Sequence, residues 1–370
     1  MPTKTEAKEY HRIKDRMFFV SLLLTLAVLQ TLLASGLSIR LRDVAFGLFP
    51  LTTAAETLYF ALFALIMGVV QFPLTFYEDF WLEHRYQLSR QTLGAWLLDE
   101  IKKAGIGFLL AWIVVMAVFF SLARFPNHWW LWAGGFWLLL NLFLTRITPE
   151  VLIPLFYKYS EVQPPELRQR VLELFQKAKV KIKDVYSIDF SKKTRKANAF
   201  ICGMGQSRRV VLTDTLTGEF SLPEIETVVA HEIGHYKHQD ILKLTIVNTI
   251  GVFAGFYVMH RIWMNILPHY GIMSPHDIAG LPLFALLFLC LNFLLMPVFN
   301  GYSRRLEVAA DRFSLQLTQK PNDFISMIRK LGDMNLAEID PGSLKEFLFY
   351  SHPPISRRIR LAESFREELK

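Results

Sequence analysis

Thiols are scarce in this chain. Two cysteines in 370 residues, Cys202 and Cys290, cannot build a disulfide framework or a thiol-rich closed metal site, and they fit a reducing compartment. A Gly-rich phosphate loop, an internal repeat and a low-complexity tract are missing as well. Nothing therefore points to a nucleotide-hydrolysing loop, a solenoid or a disordered tail.

Charge is missing in a more telling way. Six stretches contain no Asp, Glu, Lys or Arg over about the 17 to 25 residues that a bilayer core demands. They are 17–39, 57–77, 104–123, 125–145, 244–260 and 278–303. With 52% hydrophobic residues, 14% aromatic residues and a mean hydropathy of +0.28, the chain is too apolar for an ordinary soluble protein of its length. A multi-pass membrane protein with both termini on one side is expected. The first stretch could instead be a secretory signal ending near Ala34-Ser35-Gly36, but it exceeds the usual apolar core of such signals. The fifth is the weakest, because Arg261 must snorkel or face protein if the helix runs on.

The side follows from the basic residues. Lys4, Lys8, Arg12, Lys14 and Arg16 directly precede the first span, whereas the external loops would hold Arg40, Arg42, Arg124 and Arg261 and no lysine. The N-terminus and everything after the sixth span are then cytosolic. The net charge of +8 does not call for nucleic acid. Its basic residues are interleaved with acids and flank the spans, so the lipid bilayer is the expected partner.

What is present is His231-Glu232-Ile233-Gly234-His235. On a helix, positions i and i+4 share a face, so both imidazoles can bind one zinc while Glu232 reaches the metal-bound water. A pattern with three fixed positions also arises by chance, but its context supports it. Ser221 reads as an N-cap with Glu224 closing a capping box, and Ile225, Val228, Val229 and Ile233 form an apolar stripe at helical spacing.

A catalytic zinc needs a third protein ligand and an open position. The extended three-histidine pattern would require glycine at 238 and histidine at 241, where this chain has His238 and Ile241. Glu307 is the best candidate, with Asp311 one turn later to hold a ligand histidine's second ring nitrogen. The competing reading is a solvated ion pair between Glu307 and Arg304 or Arg305.

Before the motif, the pattern predicts a helix over 165–178, a strand over 185–188, and two β-rich runs, 197–202 and 209–213, joined by Gly203-Met204-Gly205-Gln206-Ser207 as a hairpin feeding the zinc helix. Such a hairpin either offers its edge to an extended peptide or is simply structural. Residues 83–103 carry Leu93, Trp96, Leu97 and Ile101 at helical spacing. They are read as a segment that packs on the protease region or lies on the membrane surface.

The His-Glu-Ile-Gly-His motif, Glu307-Val308-Ala309-Ala310-Asp311, Asn198-Ala199-Phe200 and Ser351-His352-Pro353-Pro354 together resemble the type 1 CAAX prenyl protease family. So do Glu83-His84-Arg85-Tyr86-Gln87-Leu88-Ser89-Arg90-Gln91-Thr92 and Ile153-Pro154-Leu155-Phe156-Tyr157-Lys158, so the resemblance covers nearly the whole chain. These are multi-span membrane zinc endopeptidases that remove the last three residues from prenylated proteins. The resemblance implies one zinc per chain on His231, His235 and Glu307, with Glu232 as general base and Asp311 orienting a ligand. It further implies that His352 stabilises the oxyanion, that Asn198, Ala199 and Phe200 bind substrate backbone, and that Arg358 supports either the site or the peptide's carboxyl end.

The expected fold is an α-helical polytopic membrane protein, about six transmembrane helices forming a chamber, with a cytosolic α+β zincin-type metalloprotease domain. Its expected division is 1–148 with four spans, 149–243 with the hairpin and motif helix, 244–303 as a helical hairpin, and 304–370 with the third ligand and the His-Pro-Pro segment. A peptide or protein substrate, prenylated or not, and a monomeric enzyme are expected. Six spans against seven in eukaryotic members leave the substrate open and suggest a prokaryotic plasma membrane, or the endoplasmic reticulum if the source is eukaryotic. The nearest rival is a heat-shock type membrane quality-control zinc protease. A transporter or scaffold with structural zinc is disfavoured by the shortage of thiols and by the uncharged spans.

Overall fold

A computed structural model describes residues 4–203 and 208–370. The loop expected at 203–207 lies outside the described residues but for Gly203. Among the described residues six helices are long and apolar enough to cross a membrane.

α1 (Lys4–Ala34) carries the basic tail straight into the first apolar stretch. It stops earlier than the sequence suggests, because Gly36 adopts φ 70 and the chain turns into a separate helix, α2 (Leu37–Leu48). α3 (Thr52–Thr75) continues through a π-helical stretch, Phe76–Leu82, into the single turn α4 (Glu83–Arg85).

α5 (Leu93–Arg124) begins at Thr92, whose hydroxyl accepts from the Ala95 N–H at 3.3 Å. Leu93, Trp96, Leu97 and Ile101 are therefore the first turns of the third span, not a separate surface or docking helix. Buried Trp96 packs on Phe72, Phe76 and Phe80 of the preceding span, at ring-centroid distances of 6.2, 5.6 and 5.4 Å. α6 (Trp129–Ile147) completes the N-terminal membrane region.

The polar part opens with β1 (Tyr159–Glu161), α7 (Pro165–Lys177), β2 (Asp184–Ile188), β3 (Ala199–Cys202) and β4 (Arg209–Thr213). Their sheet has the order β1-β2-β4-β3, with β2 and β4 parallel and the other pairs antiparallel. β3 is thus an edge strand, as the hairpin reading requires. A short helix, α8 (Asp214–Glu219), separates β4 from α9 (Leu222–Lys237), so the hairpin does not feed the motif helix directly.

α10 (Asp240–Ile266) and α11 (Leu281–Thr318) form the last membrane hairpin. α11 extends well past its apolar stretch and packs along α9. α12 (Pro321–Met334), α13 (Ser343–Phe349) and α14 (Ile355–Glu368) follow. One buried core joins the polar pieces on either side of the hairpin, drawing Val171, Leu212 and Val229 from the first and Leu315, Phe324 and Ala362 from the second. Burial of these aliphatic and aromatic groups fixes α9 and α11 against each other, and with them the polar side chains at their contact.

Candidate active site

α9 starts where its capping box forms. The Ser221 N–H donates to Glu224 Oε2 at 2.8 Å, and the same carboxylate accepts from the Ser326 hydroxyl at 2.6 Å and Lys330 Nζ at 2.7 Å. Burial works against ionisation there, but these donors outweigh it and hold the Glu224 carboxyl below its usual range. The helix start is anchored to α12, which leaves His231 and His235 facing α11.

Gly234 lets the two helices meet. A Cβ there would stand 3.0 Å from Ala310 Cα and 3.2 Å from both the Ala310 carbonyl oxygen and Phe313 Cβ. Close approach brings Glu307 between the histidines: its Oε2 lies 3.3 Å from His231 Nε2 and its Oε1 3.4 Å from His235 Nε2. The two Nε2 atoms are 3.1 Å apart. Glu307 is buried and turned inward, while Arg304 hydrogen-bonds the carbonyls of Glu346 and Tyr350, so the solvated ion pair does not form.

A carboxylate stands behind each imidazole, and the one behind His235 is hydrogen-bonded to it. His231 Nδ1 stands 2.8 Å from Asp311 Oδ1, and His235 Nδ1 stands 3.0 Å from Asp240 Oδ2. Asp311 is fully buried and receives Arg358 in a two-pronged pair, Nε to Oδ2 at 2.8 Å and Nη2 to Oδ1 at 2.6 Å. With a proton on each Nδ1, both Nε2 lone pairs would face each other and the Glu307 oxygens.

Two lone pairs and a carboxylate aimed at one point repel unless a cation lies between them. Buried Glu307 Oε2 has no hydrogen-bond partner among the described residues. A proton can supply that charge in place of a metal: burial opposes the charged form of His231, yet the Asp311 and Glu307 carboxylates raise its pKa to about 9. The observed separations of 3.1, 3.3 and 3.4 Å match those of tetrahedral ligands at zinc bond lengths of about 2.0 to 2.1 Å, which stand about 3.3 Å apart. The donor set fits a divalent metal, and His231, His235 and Glu307 are a group that can hold one.

Glu232 sits beside this cluster, and burial raises its carboxyl above the usual carboxylate range. His352 arrives from the segment after α13, with Nε2 3.1 Å from Glu307 Oε1 and a side chain 61% exposed. Of the residues singled out in the sequence, His231, Glu232, His235, Glu307, Asp311, His352 and Arg358 meet at one site. Arg358 lies on Asp311, the position that a supporting role would require.

Asn198, Ala199 and Phe200 stand apart, where β3 packs beside α9. Asn198 Oδ1 accepts from the Ala199 N–H at 2.9 Å, and its backbone carbonyl accepts from the Thr213 N–H at 3.0 Å and hydroxyl at 2.9 Å. Asp240 is the residue sequence reasoning missed. Its signal was faint: an acid at the first position of the helix after the motif, reached through Gln239 in a left-handed conformation.

A polytopic helical protein with two histidines and a glutamate converging beside a half-buried second glutamate defines a membrane metalloendopeptidase. Residues 161–366 match peptidase family M48, and residues 3–158 match the CAAX prenyl protease N-terminal region, described by its five membrane helices. The chain belongs to peptidase family M48. Among the described residues of that region four helices are long and apolar enough to span, α1, α3, α5 and α6, beside the short α2.

The "Uncharacterized metalloprotease YhfN" of Bacillus subtilis is 29% identical over 372 residues, covering 96% of this chain and 84% of that protein. The "Probable CAAX prenyl protease 1" of Schizosaccharomyces pombe is 29% identical over 301 residues, covering 80% of this chain and 63% of that protein. The crystal structure of S. mikatae Ste24p superposes with a TM-score of 0.87 over 97% of this chain and 89% of that one, at 22% identity. The shared fold is that of a polytopic membrane protein bearing a protease region.

Proposed function

We propose that the metal is zinc, held by His231, His235 and Glu307, and that the enzyme cleaves near the C-terminus of prenylated CAAX or similar membrane-associated peptides as a monomer. The observation that carries the reading is the convergence of two Nε2 atoms and the Glu307 carboxylate with Glu232 alongside. The CAAX prenyl protease 1 relatives support the substrate class. The basic N-terminal segment and the lysine-free external loops support a cytosolic site. The joint core of 149–243 and 304–370 supports reading them as one protease unit around the 244–303 hairpin.

Zinc bound there would act as a Lewis acid that makes water more acidic and polarises the scissile carbonyl. The Glu232 carboxylate takes the proton of the attacking water and returns it to the leaving amine nitrogen, a task suited to a carboxyl whose pKa burial has raised. His352 donates from Nε2 to the oxygen that gains charge in the tetrahedral state. Asp311 and Asp240 fix the imidazole tautomers, and Arg358 fixes Asp311. The peptide adds to the open edge of β3, where main-chain hydrogen bonds ask nothing of its side chains.

The test is release of the C-terminal tripeptide from a farnesylated CAAX peptide by the purified protein in detergent, beside Glu232→Ala and an unprenylated peptide. Release that depends on both Glu232 and the prenyl group supports the proposal. Equal cleavage of both peptides favours a general membrane quality-control protease instead.

A further inference from the structure

One side of α11 is unused by the chemistry. Glu307, Ala310 and Ser314 face α9, but Cys290, Leu294, Val298 and Arg305 recur at helical spacing on another side and are exposed. An apolar pocket of about 700 Å³ opens on that side where α11 leaves its uncharged stretch, lined by Val298, Tyr302, Arg305, Phe347, Pro353 and Arg357.

α13 forms its other wall and is pinned at the boundary between apolar and charged sequence. Phe349 meets Phe18 and Phe19 of α1 at centroid distances of 5.4 and 5.9 Å, and Lys345 Nζ pairs with Asp15 at 2.7 Å. Asn300 Nδ2 of α11 donates to the Leu348 carbonyl at 2.7 Å. Held there, α13 turns Leu344, 69% exposed, and Phe347, 53% exposed, outward one turn apart. On a water-facing helix that exposure is costly, but at an interface it is an embedding edge.

The charge around the pocket is unbalanced. Arg357 pairs with Glu346 at 2.8 Å and Arg304 stands 3.8 Å from the same carboxylate. Arg305 has no carboxylate partner among the described residues. Two guanidiniums thus share one carboxylate and the third, Arg305, has none, beside an apolar wall.

We propose that this pocket binds an anionic phospholipid from the leaflet on the protease side, its headgroup on Arg305 and its chains along Val298, Leu344 and Phe347. Because α13 runs within a few residues into His352 and Pro353, which also lines the pocket, the lipid steadies the segment that carries His352. Anionic lipid is then an activator that acts from outside the peptide site. The link to His352 rests on the proposed function, whereas lipid binding does not.

The test uses the full-length protein in nanodiscs of phosphatidylcholine with and without phosphatidylglycerol, comparing wild type, Arg305→Gln and Phe347→Ser. Lipid retention is read by native mass spectrometry and stability by thermal unfolding, both independent of catalysis. Wild type should retain phosphatidylglycerol and gain a few degrees in Tm, and Arg305→Gln should bind it about fivefold more weakly. Peptide cleavage should rise with phosphatidylglycerol in wild type but not in Arg305→Gln, whose rate in neutral lipid should equal that of wild type. Undiminished retention by Arg305→Gln, equal protection by chain-free glycerol phosphate, or a change of oligomeric state in Arg305→Gln with unaltered lipid retention would each overturn the proposal.

Discussion

Arg358 grips Asp311 with two parallel hydrogen bonds, and the same carboxylate stands 2.8 Å from His231 Nδ1. In the proposed mechanism a residue on the last helix therefore sets the tautomer and direction of an imidazole on α9. Arg358→Ala should lower metal affinity about 10- to 100-fold, as loss of such supporting partners does elsewhere. Lysine at 358 should recover only part of it, because an ammonium cannot make the planar pair. Competition with a calibrated zinc chelator measures both.

Asp240 should behave like Asp311 towards the other imidazole. Asp240→Asn preserves the shape but cannot hold the His235 Nδ1–H as a carboxylate does, and a fall in zinc affinity of about 10-fold or more is expected. The same chelator titration checks it, with far-ultraviolet circular dichroism confirming the fold.

Gly234 sits where α9 and α11 touch, and any side chain meets Ala310 backbone. Gly234→Val should cost about 1 to 3 kcal/mol of stability by forcing the helices apart. It should weaken zinc binding in parallel, since Glu307 rides on the displaced helix. Thermal unfolding and metal content, measured on the same preparation, test whether the two losses go together.

Glu224 carries a pH signature. Its folded carboxyl lies below the usual range, so its contribution is complete above about pH 4.3, the value for an unfolded glutamate, and fades as pH falls through the folded value. Glu224→Gln should therefore be about 1 to 2 kcal/mol less stable than wild type at pH 7. That gap should close below about pH 4. Thermal unfolding of both proteins across this range measures it.

Local rules made much of this legible. The histidine spacing, the Ser221 and Glu224 capping box and the one-turn separation of Glu307 and Asp311 depend on helical periodicity, and each is found as read. The uncharged stretches likewise located the six helices that, among the described residues, are long and apolar enough to span. What stayed hidden depends on the chain folding back. The parallel pairing of β2 with β4, the break at Gly36, the run of α5 into the third span and the reach of Asp240 to His235 are set by tertiary contacts or a single left-handed residue. That Arg358 meets Asp311 was hidden for the same reason, since the two stand 47 residues apart on different helices.

The most direct test is metal content set beside catalysis in three proteins: wild type, Glu307→Ala and Glu232→Gln. Wild type should hold one zinc per chain and Glu307→Ala should lose it. Glu232→Gln should keep the zinc while cleaving peptide about 100- to 10,000-fold more slowly. Full zinc in Glu307→Ala, or unimpaired cleavage by Glu232→Gln, would contradict the account.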